Sequence, residues 1–171
     1  MTLTPAYAEL MRRAYKQALY SPDPSTQNGA VIAQPTPDKL DHIWPGYVLG
    51  VGCNTFWRVK PDLERPGKYD RIEHAERSAI FDAVRAHNGN WLQGSTLVCL
   101  WAACADCARA IIGVGIEKIV THAYYETVAS QRWQESIAIA DAMLEDAGVS
   151  REVITPGQLG PILFDERKVN L

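Results

Sequence analysis

The pair of segments His74-Ala75-Glu76 and Cys104-Ala105-Asp106-Cys107 constrains this chain more than any other feature. Between them they offer one imidazole, two thiols and a carboxylate one residue removed from the imidazole. Hydrolytic zinc sites take three protein ligands and keep a fourth position for water, whose pKa coordination lowers to about 7. His74, Cys104 and Cys107 are the right number and kind of ligand for such a site, so the fold must bring two distant segments to one point. Two residues between the cysteines let both sulfurs face one metal. A helix start suits them, because its amides and dipole favour thiolates. On a helix, Glu76 would lie roughly 200° around from His74 at 3.6 residues per turn. That separation can set the carboxylate across a substrate space, close to the metal without binding it, where it is suited to proton transfer.

The spacing after each motif predicts a helix. Ile72 to His87 carries Ala75, Ala79 or Ile80, Ala83 and Val84 at helical intervals, with His87-Asn88-Gly89 as a stop. Cys104 to Gly113 is the next helix, between strands at Thr96 to Trp101 and Lys118 to Thr121. That alternation predicts α/β structure with parallel neighbours. Upstream, Thr4-Pro5 reads as the N-cap and first residue of an amphipathic helix ending near Tyr20. Gly29 to Ala33 and Tyr47 to Cys53 predict an antiparallel pair of strands joined by an enlarged polar loop. Downstream, Ser130 to Ala147 predicts a helix with Trp133, Ile137, Ala140 and Leu144 on one face, and Arg151 to Thr155 a short strand. The tail from Gly157 to Leu171 offers little beyond Leu163 and Phe164 to anchor it.

Asn54 to Ile72 shows no sustained period and is expected to be a loop. It places Arg58, Lys60, Arg65, Lys68 and Arg71 among Phe56, Trp57 and Tyr69, against Asp62, Glu64 and Asp70. Such a cluster suits either a phosphate or an ion-paired, solvated surface. At 171 residues the expectation is one domain over residues 1–171. A formal charge of −3, from 17 basic and 20 acidic groups, weighs against a large nucleic-acid partner, since duplex binders present a basic excess. A small anionic ligand needs only a local cluster. No apolar run has the length of a membrane-spanning helix. Glu9, Arg12, Arg13 and Lys16 interrupt the N-terminal segment as no secretory signal would be interrupted. A cytoplasmic protein without membrane partners is therefore expected, and its cysteines point to metal rather than disulfides. Cys53 and Cys99 read as buried small hydrophobes.

Plainer readings stand beside these. A C-x-x-C can be half of a structural zinc site or a redox pair; a closed structural site would need a fourth ligand, for which His87 and His122 are the nearby histidines. Glu76 can be an ordinary first-turn acidic residue on a helix surface. Asn54 can tolerate a left-handed turn, and Asn28-Gly29 can be turn chemistry. Tyr124 and Tyr125 can stack on a base or simply pack.

The motif H-x-E with a later C-x-x-C resembles the signature of zinc nucleobase deaminases. Gly29-Ala30-Val31-Ile32, Gly52-Cys53-Asn54, His74 to Ile80, and Cys104 to Ile112 with Gly115-Ile116 follow the order of the cytidine and deoxycytidylate deaminase superfamily. Asp106-Cys107-Ala108-Arg109 and the approach from Glu64-Arg65 to His74 resemble its deoxycytidylate branch most. The resemblance covers about Pro5 to Tyr125. It implies a three-layer α/β/α fold with a central mixed sheet of about five strands, zinc as cofactor, hydrolytic deamination of a small nucleotide such as dCMP, and a homo-oligomer. It also implies that Glu76 moves protons, that Asn54 bonds the sugar and that the Ala75 backbone N–H helps read the base. A 5′-phosphate would fall to the cationic loop, with Arg58, Lys60, Arg65, Lys68 and Arg71 as candidates, Arg65 and Arg58 foremost among them. Ala103 replaces the family's proline before the first cysteine, which removes a constraint on φ but no ligand. Asn28 replaces an apolar residue at the floor of the base pocket, and a buried amide there demands a partner. It therefore suggests a polar substituent or another base as an alternative substrate. Leu100 and Trp101 add bulk nearby. From a different class, a non-catalytic zinc-stabilised interaction module remains the alternative to an enzyme.

Overall fold

The computed structural model describes residues 5–35, 43–87, 92–123, 131–155, 161–164 and 167–170. The readings at Asn88-Gly89 and at Tyr124-Tyr125 lie outside the described residues. The chain runs α1 (Pro5–Ala18), β1 (Gly29–Pro35), β2 (Ile43–Cys53), α2 (Gly67–Arg71), α3 (Ala75–His87), β3 (Thr96–Cys99), α4 (Ala105–Gly113), β4 (Lys118–His122), α5 (Gln131–Asp146), β5 (Ser150–Ile154), β6 (Pro161–Phe164) and β7 (Arg167–Asn170). Five strands form one sheet in the order β2-β1-β3-β4-β5. β1 is antiparallel to both β2 and β3, whereas β3, β4 and β5 run parallel. The expected mixed sheet, its hairpin and its parallel half are all present.

Alternation along the central strands explains the three layers. Val31 and Ala33 point to one face of β1 with Val98 and Leu100, and meet Tyr7, Leu10, Met11, Ala14 and Ala18 of α1. Ala30 and Ile32 point to the other face with Leu97, Cys99 and Ile119, and meet α3, α4 and α5 through Ala79, Ile111 and Ala140. These strands are buried on both sides, which is why they read as continuous apolar runs. Each large apolar side chain fully buried here contributes about 1.5–3 kcal/mol.

Two glycines set the helices close to the sheet. A Cβ at Gly29 would lie 1.9 Å from the Ala14 carbonyl oxygen of α1. On the other face, a Cβ at Gly52 would lie 2.4 Å from the Ala79 amide nitrogen and 2.5 Å from the Ala75 carbonyl oxygen. Only glycine lets the start of α3 rest on β2 at that distance, and this contact places the His74 segment.

Three local expectations are corrected. The helix expected from Ile72 begins at Ala75, because Glu73 is held extended in a bridge with Thr55, their backbones exchanging hydrogen bonds of 2.7 and 2.9 Å. The cationic segment expected as loop contains the short helix α2, too brief to leave a period in the sequence. The C-terminal tail, expected to be nearly featureless, holds β6 and β7 as an antiparallel pair from Pro161↔Asn170 to Phe164↔Arg167; four residues per strand give no alternation to read. Among the described residues, no helix is long and apolar enough to cross a membrane.

Candidate active site

The functional residues gather at one end of the sheet, where the register aligns Gly29 with Cys53 and Ala30 with Cys99. The start of β1 therefore brings Asn28, the end of β2 brings Asn54, and the end of β3 leads through Leu100 to Ala103 into α4. His74 and Cys104 occupy equivalent places, each immediately before a helix. The His74 carbonyl accepts the Ser78 N–H at 2.9 Å, and the Cys104 carbonyl accepts the Ala108 N–H at 2.9 Å. Because His74 precedes the helix, the 200° separation from Glu76 does not apply, and both side chains line one cavity. α5 holds the other motif in place, since its Ser136 hydroxyl oxygen accepts the Ala105 N–H at 3.1 Å.

His74 Nδ1 lies 3.4 Å from Cys104 Sγ and 3.6 Å from Cys107 Sγ. Ligands at zinc bond lengths in a tetrahedron are separated by roughly 3.5 Å for N···S, so the donor set fits zinc both in chemistry and in spacing. Among the described residues these three form the metal-capable group. Neither histidine considered as a fourth ligand joins it. His122 is fully buried on the α1 side of the sheet with Nδ1 2.9 Å from the Tyr15 hydroxyl, and His87 is exposed at the end of α3. The Cys104 thiol is lowered to about 4, first by its hydrogen bond with Cys107 and then by that with His74. Cys107, the partner in that bond and deeply buried, is pushed well above its usual range. Arg77, paired with Glu73 and 3.7 Å from Asp106, adds positive charge beside the Cys107 sulfur.

Glu76 is 2% exposed, which rules out the surface-helix reading. Burial pushes its carboxyl up to about 7, against the opposing pull of His74. Its Oε2 accepts a hydrogen bond from Asn28 Nδ2 at 3.3 Å, so Asn28 is a partner of Glu76 rather than a turn residue. Asn54 is also buried: its Nδ2 donates to the Thr26 carbonyl at 2.8 Å and its Oδ1 accepts the Ala75 N–H at 3.0 Å. The Ala75 N–H, expected to help read a base, thus donates to Asn54 in this structure.

The cavity measures about 240 Å³. Trp101, Trp133, Ile72 and Ile137 give it apolar walls, and Trp133 stands edge-on to His74 with ring centroids 5.6 Å apart. Of the five loop cations, only Arg65 and Lys68 reach it. Arg58, expected near a phosphate, does not line it and is exposed in a left-handed backbone conformation, φ 62°. Lys68 is buried, its Nζ 2.7 Å from Asp23 and 2.5 Å from the Ser25 hydroxyl. Arg65 sits over the Tyr69 ring at 5.8 Å and has no carboxylate partner among the described residues. Sequence reasoning missed Asp23, Ser25 and Thr26. The local signal there is Ser21-Pro22-Asp23-Pro24-Ser25, which is turn chemistry; it does not point to the site because Lys68, the partner of Asp23, lies on another element. Leu100 packs away from the cavity against α1.

Two thiols and an imidazole beside a buried carboxylate, at the end of a mixed α/β sheet, place the chain among zinc-dependent hydrolases. Residues 5–123 match the family model for the cytidine and deoxycytidylate deaminase zinc-binding region, and the chain belongs to that family of hydrolytic deaminases. It is 34% identical over 134 residues to an uncharacterized deaminase encoded in the luxG 3′ region of Aliivibrio fischeri, covering 76% of this chain and 80% of that protein. It is 28% identical over 166 residues to the deoxycytidylate deaminase of Mus musculus, covering 94% and 85%. The crystal structure of apo dCMP deaminase from cyanophage S-TIM5 shares the fold, with a TM-score of 0.63 at 19% identity over 89% of this chain and all of that one.

Proposed function

We propose that the chain converts dCMP and water to dUMP and ammonia. The observation that carries the reading is the placement of Glu76, fully buried and opening into the same cavity as His74 and Cys104. His74, Cys104 and Cys107 would hold zinc, which when bound supplies a Lewis acid that makes water a competent nucleophile near neutral pH. Glu76 takes one proton from the attacking water and gives it to N3 of the cytosine ring, where it stays in the uracil product; it then takes the second proton from the new C4 hydroxyl and gives it to the leaving amine. A C4–O bond forms, the C4–N bond breaks, and the displaced nitrogen leaves as ammonia. Trp101, Trp133, Ile72 and Ile137 give the cavity apolar surface that excludes water from around the ring.

The lining of the cavity supports a nucleotide over a free base. The exposed Arg65 shares the cavity with His74 and Glu76 and, with no carboxylate partner among the described residues, can receive a phosphate monoester without first losing an ion pair. Lys68 adds a buried ammonium whose charge Asp23 already balances, so Arg65 is the cation that discriminates between dCMP and deoxycytidine. Copies of the chain are proposed to associate. The outer face of α3 leaves Phe81 and Val84 exposed beside Trp57, and light scattering reads the oligomer. Incubating zinc-loaded protein with dCMP, CMP, deoxycytidine, cytosine, guanine and adenosine tests the reaction. Ammonia is expected most rapidly from dCMP; none from any cytosine compound sinks the proposal.

A further inference from the structure

We propose that Asn28, oriented by the Cys99 thiol, is a positioning residue that holds one oxygen of the Glu76 carboxylate and leaves the other for proton transfer. The inference rests on the deaminase reading above. Asn28 is 4% exposed, Cys99 1% and Glu76 2%, so water does not compete for their hydrogen bonds. Asn28 Nδ2 lies 3.3 Å from Glu76 Oε2, and Cys99 Sγ lies 3.5 Å from Asn28 Oδ1. An amide has a donor end and an acceptor end, and its neighbours settle which way it faces. Burial pushes the Cys99 thiol well above its usual range, with the Glu76 charge acting in the same direction. The thiol therefore stays protonated and donates, which turns Oδ1 toward Cys99 and the NH2 group toward Glu76.

The geometry matters because the terminal torsion of a glutamate is broad rather than confined to staggered wells. A carboxylate on that torsion, with its own backbone N–H as one donor, needs a second fixed donor to hold its plane. Among the described residues Asn28 is the side chain that supplies one, and the sheet holds Asn28 in turn. Its backbone carbonyl accepts the Asn54 N–H at 3.3 Å, while Cys99 sits on β3 opposite Ala30. Oε2 is then occupied, and Oε1 is left as the oxygen that accepts and returns the proton. This differs from a role for Asn28 in reading the base, which would move substrate preference instead of turnover.

The test uses the zinc-loaded full chain with Asn28→Val, Asn28→Ala, Cys99→Ala, Cys99→Ser and the double variant Asn28→Val/Cys99→Ala, each checked for zinc content and thermal midpoint. With dCMP, Asn28→Val and Asn28→Ala are expected to lose about 10- to 100-fold in kcat, the cost of a misplaced catalytic group, while KM changes less than threefold. Cys99→Ser, which keeps a donor, retains more turnover than Cys99→Ala. Cys99→Ala costs nothing further once Asn28 is valine, because the two act through one bond chain. Wild-type kcat in properly zinc-loaded Asn28→Val overturns the proposal, as does a change of substrate preference at unchanged kcat. If the wild type deaminates none of the cytosine compounds, the functional reading falls by itself. Crystal structures of the wild type and Asn28→Val then decide the positioning role: a rotated or disordered Glu76 carboxylate in the variant upholds it, and an unmoved one overturns it.

Discussion

The buried pair Asp23–Lys68 makes a prediction whose two halves are unequal. Side-chain exposure is 1% for Asp23 and 4% for Lys68, with 2.7 Å between the charged atoms. In Asp23→Ala the ammonium stays buried with the Ser25 hydroxyl as its remaining acceptor at 2.5 Å. An uncompensated buried charge costs about 3–5 kcal/mol. In Lys68→Met the carboxylate also loses its counter-ion, but it keeps the Ser25 N–H at 2.9 Å, the Ser25 hydroxyl at 2.9 Å and the Thr26 N–H at 3.3 Å. Three surviving hydrogen bonds bring the expected cost down to about 1–3 kcal/mol. The double variant Asp23→Ala/Lys68→Met buries no charge, so it should be more stable than Asp23→Ala alone. Urea unfolding followed by tryptophan fluorescence at fixed zinc measures all three. With a slope of about 2 kcal/mol per molar urea, Asp23→Ala should shift the midpoint by roughly 1.5–2.5 M. Equal costs for the two single variants, or a double variant as unstable as the sum of both, would refute the reasoning, because either result means that the charges are solvated.

Glu76→Gln should keep its full zinc content and lose about 10²- to 10⁴-fold in turnover, the usual contribution of a positioned acid–base group. Metal analysis beside the ammonia assay checks it, and turnover near wild type removes Glu76 from the proton path. Cys107→Ser should bind zinc weakly, and chelation of the wild type should lower its thermal midpoint, since a metal that binds only the folded state at a thousandfold above its dissociation constant adds about 4 kcal/mol. A midpoint indifferent to chelator would show that the three donors do not hold zinc in the folded protein.

What could be read in the chain itself was what depends on near neighbours. His74, Cys104 and Cys107 stood out because two short motifs carry their own geometry: each begins a helix, and the periodic apolar residues after it show where that helix lies. The mixed sheet was legible for the same reason, its strands being short apolar runs buried on both faces. Tertiary structure alone decided which distant residues complete the site. Asn28 meets Cys99 because the register of β1 against β3 brings their ends together, and it meets Glu76 because α3 rests on β2 at Gly52; no spacing along the chain encodes either contact. Lys68 leaves the row of loop cations and turns inward because Asp23 waits on another segment, whereas Arg58 stays outside. Trp133 reaches His74 through the docking of α5 on α4. A local motif reports the few residues held by one turn of backbone; burial and pairing across the sheet are set only when every element has packed, and they determined the environment in which Glu76 works.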